Sequence, residues 1–369
     1  MSIAIGSFLK GIMMKKSLIF ITFLIILIGL AAPALCNIDV YAQDLDAKFE
    51  YDNNVTRQRL PQNHQDGIIW RLYTGLGIKD IIPINGLETD ARYTLGMRDV
   101  NTTNDEDYSS HEFDFKLRGG NIFTFKENFR IWNSQSDLFY FYDNIIETNV
   151  GHDFGKRTSA YLSYRYEQKW FQNKKPEVQA RNFYYHQFGT NLNHSISEDF
   201  KVQLGYIDQL KSYNRRPIDF KNGKPVVLDG IQKDRQQIII LGFYASVFNN
   251  TSLLFSNQIV RSNSNSKAFD FSGNRTHLVV LSNPFRKLWV ELTYQLVAYN
   301  LGAYQTPDLG YELSETRTDD QSGIKIGLSY DLSEQLSLKV NYEYLKNTVF
   351  FTKDFYESNS ASMGIKVKF

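Results

Sequence analysis

Residues 336–344 set Leu336, Leu338, Val340, Tyr342 and Tyr344 against Ser337, Lys339, Asn341 and Glu343. Only an extended strand turns a period of two into two different faces, so this pattern predicts a strand that meets an apolar medium on one side and water on the other. Residues 87–98 repeat it, with Leu87, Thr89, Ala91, Tyr93, Leu95 and Met97 opposed to Glu88, Asp90, Arg92, Thr94, Gly96 and Arg98. The last residues do the same, Ala361, Met363, Ile365, Val367 and Phe369 facing away from Ser362, Gly364, Lys366 and Lys368. Further strands are predicted at 46–52, 68–78, 111–118, 129–142, 159–167, 184–196, 200–209, 237–247, 252–260, 276–282, 288–299 and 322–332, with a weaker one at 149–154. That makes about 16 strands, within a range of 14–18, and most approach the roughly 9–11 residues that carry a tilted strand across a bilayer. Aromatic residues supply 15% of the chain, mostly as 27 Phe and 23 Tyr, a composition that also favours strands.

The links between these segments alternate in length. Short ones fall at Gly155-Lys156-Arg157, Ser197-Glu198-Asp199, Asn249-Asn250, Asn283-Pro284 and Ser333-Glu334-Gln335. Long polar ones fall at 53–66, 99–108, 170–181, 211–234, 299–319 and 346–358. Short turns at one end and long loops at the other describe a transmembrane antiparallel β-barrel with periplasmic turns and extracellular loops. A soluble barrel would turn its apolar face inward, but a barrel of this strand number is too wide for side chains to fill. The apolar face must therefore meet lipid; the opposite assignment would place Arg92, Arg118, Lys339 and Lys366 there, at roughly 2–4 kcal/mol each near the midplane. Trp70, Tyr166, Trp170, Tyr184, Trp289, Tyr299 and Tyr344 fall near strand ends, where an interfacial aromatic girdle is expected.

The first residues read as a secretory signal. Lys10, Lys15 and Lys16 precede an apolar run at 18–30, and Val40-Tyr41-Ala42 fits a small-x-small cleavage pattern. The expected organisation is a signal peptide at 1–42 and a barrel at 43–369, with an earlier cut near Ala34 as the alternative. The later cut would remove Cys36, the only cysteine. The 41 Lys and Arg nearly cancel the 40 Asp and Glu, so no global field favours nucleic acid as a partner.

Two stretches carry a resemblance. The terminal strand 359–369, with alternating apolar positions and a final aromatic, looks like the C-terminal assembly signal of outer-membrane proteins; by that resemblance Phe369 would be read by the barrel-assembly machinery. Phe49-Glu50-Tyr51-Asp52-Asn53-Asn54-Val55 and the polar loop after it resemble the opening of the second putative beta-barrel porin family. The resemblance covers the first strand and loop, the final strand and the general layout. It implies a bacterial outer-membrane location, and its association with exopolysaccharide genes implies a polymer exit.

For function, Arg92, Asp114, Lys116, Arg118, Tyr161, Arg165, Lys325, Lys339, Glu343 and Lys366 are expected to line a wet lumen, together with Glu88, Asp90, Glu112 and Glu167. Two basic stretches, one around Lys174 and Lys175 and one at 211–224 with Arg215 and Arg216, would form a constriction favouring anions if they folded inward. His111, His186 and His194 share the outward face, and none of the six His falls in a hydrolase or acyltransferase pattern. His194 and Ser195 are adjacent in a strand and point to opposite faces, which argues against a catalytic pair. Without Cys in the mature chain and without a Gly-rich phosphate loop, neither a cofactor nor a structural metal is expected. The acidic stretch at 104–107 is read as a solvated loop, with Ca²⁺ binding as the alternative. The expected role is a non-enzymatic, porin-like channel whose partners are outer-membrane lipid and a polar solute or polysaccharide. The alternatives are an adhesive barrel acting through its loops and an outer-membrane enzyme.

Overall fold

The computed structural model describes residues 39–42, 45–53, 66–81, 86–101, 108–134, 141–171, 182–221, 224–248, 250–266, 270–301, 317–349 and 354–368. Residues 1–38 of the expected signal segment 1–42, Cys36 among them, the acidic stretch 104–107, Lys174, Lys175 and Phe369 lie outside the described residues.

Two short segments, β1 (Asp39–Ala42) and β2 (Leu45–Asp52), run in line along β3 (Gly67–Lys79) and together make the first staves of a wall. The chain then passes antiparallel through β4 (Leu87–Val100), β5 (Tyr108–Gly119), β6 (Phe123–Ser134), β7 (Phe141–Phe154), β8 (Thr158–Phe171), β9 (Phe183–Ser195) and β10 (Phe200–Tyr213). A separate hairpin of β11 (Ile218–Lys221) and β12 (Lys224–Val227) follows. The wall resumes with β13 (Gln232–Phe248), β14 (Thr251–Ser264), β15 (Phe271–Phe285), β16 (Leu288–Leu301), β17 (Arg317–Asp331), β18 (Leu336–Val349) and β19 (Asp354–Val367). β19 pairs with β2 from Ser360 opposite Asp52 to Val367 opposite Leu45, closing an antiparallel barrel of sixteen strands with no free edge.

From β3 onward the wall strands hold between 12 and 17 residues, longer than a bilayer crossing needs, so they project beyond the apolar band. Tight turns close one end. Gly155 begins the β7–β8 turn at φ +73° and Gly120 the β5–β6 turn at φ +54°, conformations that a residue with a Cβ resists.

Register settles which face is which. Phe49 opposes Trp70, Leu72 opposes Met97, and Val340 opposes Met363, so one face carries a continuous apolar surface around the closure. These side chains are exposed, Met363 by 62% and Leu76 by 58%, which in an isolated barrel identifies the lipid-facing side. At the loop end of that face two pairs of charges meet: Arg235 donates to both carboxylate oxygens of Asp208 at 2.9 and 2.7 Å, and Lys346 lies 3.6 Å from Glu357. Glu127 departs from the pattern, an outward carboxylate opposite Phe115 and Ile146.

Two readings of the sequence need correction. The stretch 129–142 is the top of β6, a loop-end reversal and the first residues of β7, not one strand; the weaker segment 149–154 is the foot of β7. Aromatic residues on both sides of the polar residues 133–137 carried the apolar pattern across the reversal and hid it. Asn283-Pro284 is not the β15–β16 turn. It lies within β15 at a register shift between Ser282 and Phe285, and the turn is Arg286-Lys287. Proline has no N–H to give the ladder and is tolerated at such an irregularity.

Candidate functional site in the barrel lumen

The inward face of β2 to β8 is dense in charge. Near the closure, Glu50 is 4% exposed and accepts from Lys48 at 2.6 Å and Arg71 at 3.1 Å. Arg92 pairs with Asp90, and Asn128 donates to Glu112 at 2.5 Å and Asp114 at 2.7 Å. Farther round, Arg130 reaches Asp143 at 2.5 Å, and Arg165 bridges Glu147 and Glu167 at 2.7 Å each. Alternate residues of neighbouring strands sit close enough for such cross-strand pairs, so the alternation read in the sequence becomes a lattice of ion pairs lining one wall.

Each residue expected to line the lumen lies on this inward face by register. Arg92 opposes Asp114, Lys116 opposes Asp90, and Arg118 opposes Glu88. Arg165 opposes Glu147 and Gln187. Tyr161 lies between Gly151 and Asn191, and its ring fills the space that a side chain at Gly151 would need. Past the closure, Lys325 opposes Glu343, Lys339 is 2.8 Å from Asp46, and Lys366 opposes Asp46 and Ser337. There Lys325, Lys339, Glu343, Asp46 and Glu291 share a cavity of about 470 Å³ with Trp289.

The opposite wall is of another kind. Ile207, Ile238, Ile240 and Val260 pack together on the inward face of β10, β13 and β14, with Phe271 and Tyr299 against them. Gln209 and Gln236 oppose each other above them. The sequence expectation of a polar inner face therefore fails along this arc. Its signal was present in Ile238-Ile239-Ile240-Leu241, a run with no alternation and hence apolar on both faces. Trp289 and Tyr299, expected in the girdle from their place near strand ends, point inward instead: by period two they share a face of β16 with Glu291, Thr293 and Gln295, and the pairing with β15 and β17 agrees. Trp70, Tyr166, Trp170, Tyr184 and Tyr344 do face outward.

At the loop end, aromatic rings and cations interleave around β5 to β10. Tyr108 packs on Trp132 with centroids 4.3 Å apart, Trp132 stacks on Phe141 at 5.3 Å, and Phe141 meets Phe171 at 5.5 Å. Phe183 continues the row to Tyr213 at 6.1 Å. Lys211, expected in a loop, belongs to β10 and faces this row. Arg215 is fastened to the rim: its guanidinium stands 4.5 Å from the Tyr213 ring and its Nε donates to the buried Gln232 at 2.7 Å. Burial holds this guanidinium below its ordinary pKa, with Tyr213 and Asp234 opposing the shift. Arg216 is exposed.

The outward histidines are partnered. His111 shares a hydrogen bond of 2.8 Å with Tyr93, His186 one of 2.9 Å with Tyr164, and His194 one of 2.9 Å with Thr158. Among the described residues, no three His, Cys, Asp or Glu side chains converge in a way that would hold a metal ion.

No protein-family model matches the chain, and no curated protein matches it in sequence. Solved structures match it in fold. A loop L8 deletion mutant of OmpT, an outer membrane protein of Vibrio cholerae, is similar over 90% of this chain and 98% of its own, at a TM-score of 0.53 and 8% identity. The outer membrane channel DcaP of Acinetobacter baumannii is similar over 90% and 97%, at 0.55 and 11%. An anion-selective porin from Comamonas acidovorans is similar over 90% and 100%, at 0.51 and 13%. At such identities the likeness concerns the fold alone, and the fold is that of porin-type barrels of the bacterial outer membrane.

Proposed function

We propose that this barrel is a passive, porin-like channel through which hydrophilic solutes cross the outer membrane, with no catalytic step. The observation that carries the reading is the lattice of inward ion pairs. Lys325 and Glu291, 3.3 Å apart, each keep more than two-fifths of their side-chain surface exposed on the enclosed face. Charges in that position need water around them, and sixteen strands enclose more space than side chains fill. That DcaP is a channel and the Comamonas protein a porin on the same fold supports the reading.

The finer proposal is export of an exopolysaccharide, supported by the resemblance of residues 49–55 to the porin family linked to such polymers. The two-sided lumen suits that cargo: amides and apolar faces on β10 to β16 offer a saccharide surfaces for hydrogen bonding and ring contact, while the charged wall keeps it hydrated. Proteoliposomes in iso-osmotic sugar test the channel itself. They should swell at rates that fall as the sugar grows from pentose to tetrasaccharide; swelling no faster than protein-free liposomes would overturn it. For the polymer, cells lacking the protein should retain in the periplasm polysaccharide that wild-type cells release, and unchanged release would remove that proposal.

A further inference from the structure

Lys169 on β8 and Lys211 on β10 differ from the other inward cations. Lys169 Nζ stands 3.7 Å from the centroid of Phe141 and 5.5 Å from that of Phe171; Lys211 Nζ stands 3.9 Å from Phe183 and 4.9 Å from Tyr213. Among the described residues, neither ammonium has a hydrogen bond or a carboxylate within 4.0 Å. The acids around them already accept from other donors, although Asp143, opposite Lys169, keeps Oδ1 buried without a partner. Glu167 accepts from Arg165 at 2.7 Å and from Tyr185 at 2.8 Å, Asp143 from Arg130 at 2.5 Å, and Asp234 from Gln232 at 3.0 Å and Ser264 at 2.5 Å.

A ring face attracts an ammonium but takes up only one side of it, and the remaining N–H donors stay directed elsewhere. Both lysines are half-buried. By register they lie two strands apart across Phe183 and Tyr185, since Lys169 opposes Phe183 and Lys211 opposes Tyr185. Lys211 also opposes Asp234 on β13. Two partly desolvated cations with unused donors, held in place by rings, make a pre-organised receptor for negative charge.

We infer that Lys169 and Lys211 form a subsite for an anionic group, carboxylate or phosphate, carried by a solute in the loop-end half of the lumen. Phe171, Phe183 and Tyr213 are half-buried and border the site, so an apolar face such as that of a sugar ring can lie beside the charge. The inference deepens the channel reading and rests on it for its physiological meaning.

Titration calorimetry on the refolded barrel in neutral detergent at low salt tests it without requiring an open pore. The probes are trigalacturonate, inorganic phosphate and neutral maltotriose. At least one of the two anions should bind more tightly than maltotriose and weaken as NaCl rises. The K169Q/K211Q double variant should bind it at least ten-fold less tightly, and K201Q, a change at the turn end of β10, should leave it unchanged. Binding of trigalacturonate alone assigns a carboxylated saccharide; binding of phosphate alone assigns phosphate. No binding of either anion by the wild type, or equal binding by wild type and double variant, overturns the inference. Heat-modifiable gel migration verifies folding, and the single variants K169Q and K211Q, each expected to bind several-fold less tightly, decide the matter if the double variant does not fold. Because binding is read separately from permeation, a barrel that binds anions but does not conduct would refute the channel and leave the subsite standing.

Discussion

Tyr93 on β4 and His111 on β5 share a hydrogen bond of 2.8 Å on the outward face of the barrel, directly among lipid-facing residues. Tyr164 and His186 repeat the arrangement at 2.9 Å on β8 and β9. In hydrocarbon there is no water to replace a lost partner, so each hydroxyl satisfies a ring nitrogen that would otherwise be orphaned.

Tyr93→Phe should therefore destabilise the barrel by about 1–2 kcal/mol, the cost of leaving a buried polar group unpaired. Urea unfolding in lipid vesicles measures it. A variant as stable as the wild type would mean that the His111 nitrogen finds another partner in the membrane.

Glu127 presents the converse case. It faces outward about 10 Å above the turn end, on a strand rise of about 3.4 Å and the usual barrel tilt. Glu127→Leu should stabilise the barrel in vesicles by about 1–2 kcal/mol. Loss of stability on the same substitution would show that the carboxylate has a partner, such as a second barrel, outside the chain.

How much of this was legible in the sequence depends on whether a strand separates polar from apolar. In β18 and β19 it does, and the strand at Leu336 to Tyr344 and the inward placement of Lys339 and Lys366 follow from alternation alone. In β13 both faces are apolar, so the inward Ile238 and Ile240 could not be assigned without the register of their neighbours, whereas in β16 Trp289 and Tyr299 share the parity of Glu291, Thr293 and Gln295, a signal that their place near strand ends overrode. The reversal between β6 and β7 was hidden for a related reason, since aromatic residues flank it on both sides. The cation–aromatic row needed tertiary structure altogether: Lys169, Phe183 and Lys211 come from three strands, and no local spacing in the sequence joins them.

The start of the mature chain is a further point of test. β1 pairs Asp39 with Lys79 and Ala42 with Leu76, extending the first stave to the turn end. A cut after Ala42 would remove these pairings, whereas a cut near Ala34 would keep them. We expect mass spectrometry of protein purified from outer membranes to show a mature chain that retains Asp39–Ala42. A first residue at Gln43 would instead support cleavage after Ala42.

The central claim is that the closed sixteen-stranded wall encloses a continuous water path. Purified protein added to a planar lipid bilayer measures this most directly. The account predicts stable, discrete conductance steps whose size scales with bulk electrolyte conductivity; a bilayer that stays sealed at high protein concentration, with insertion verified, would contradict it.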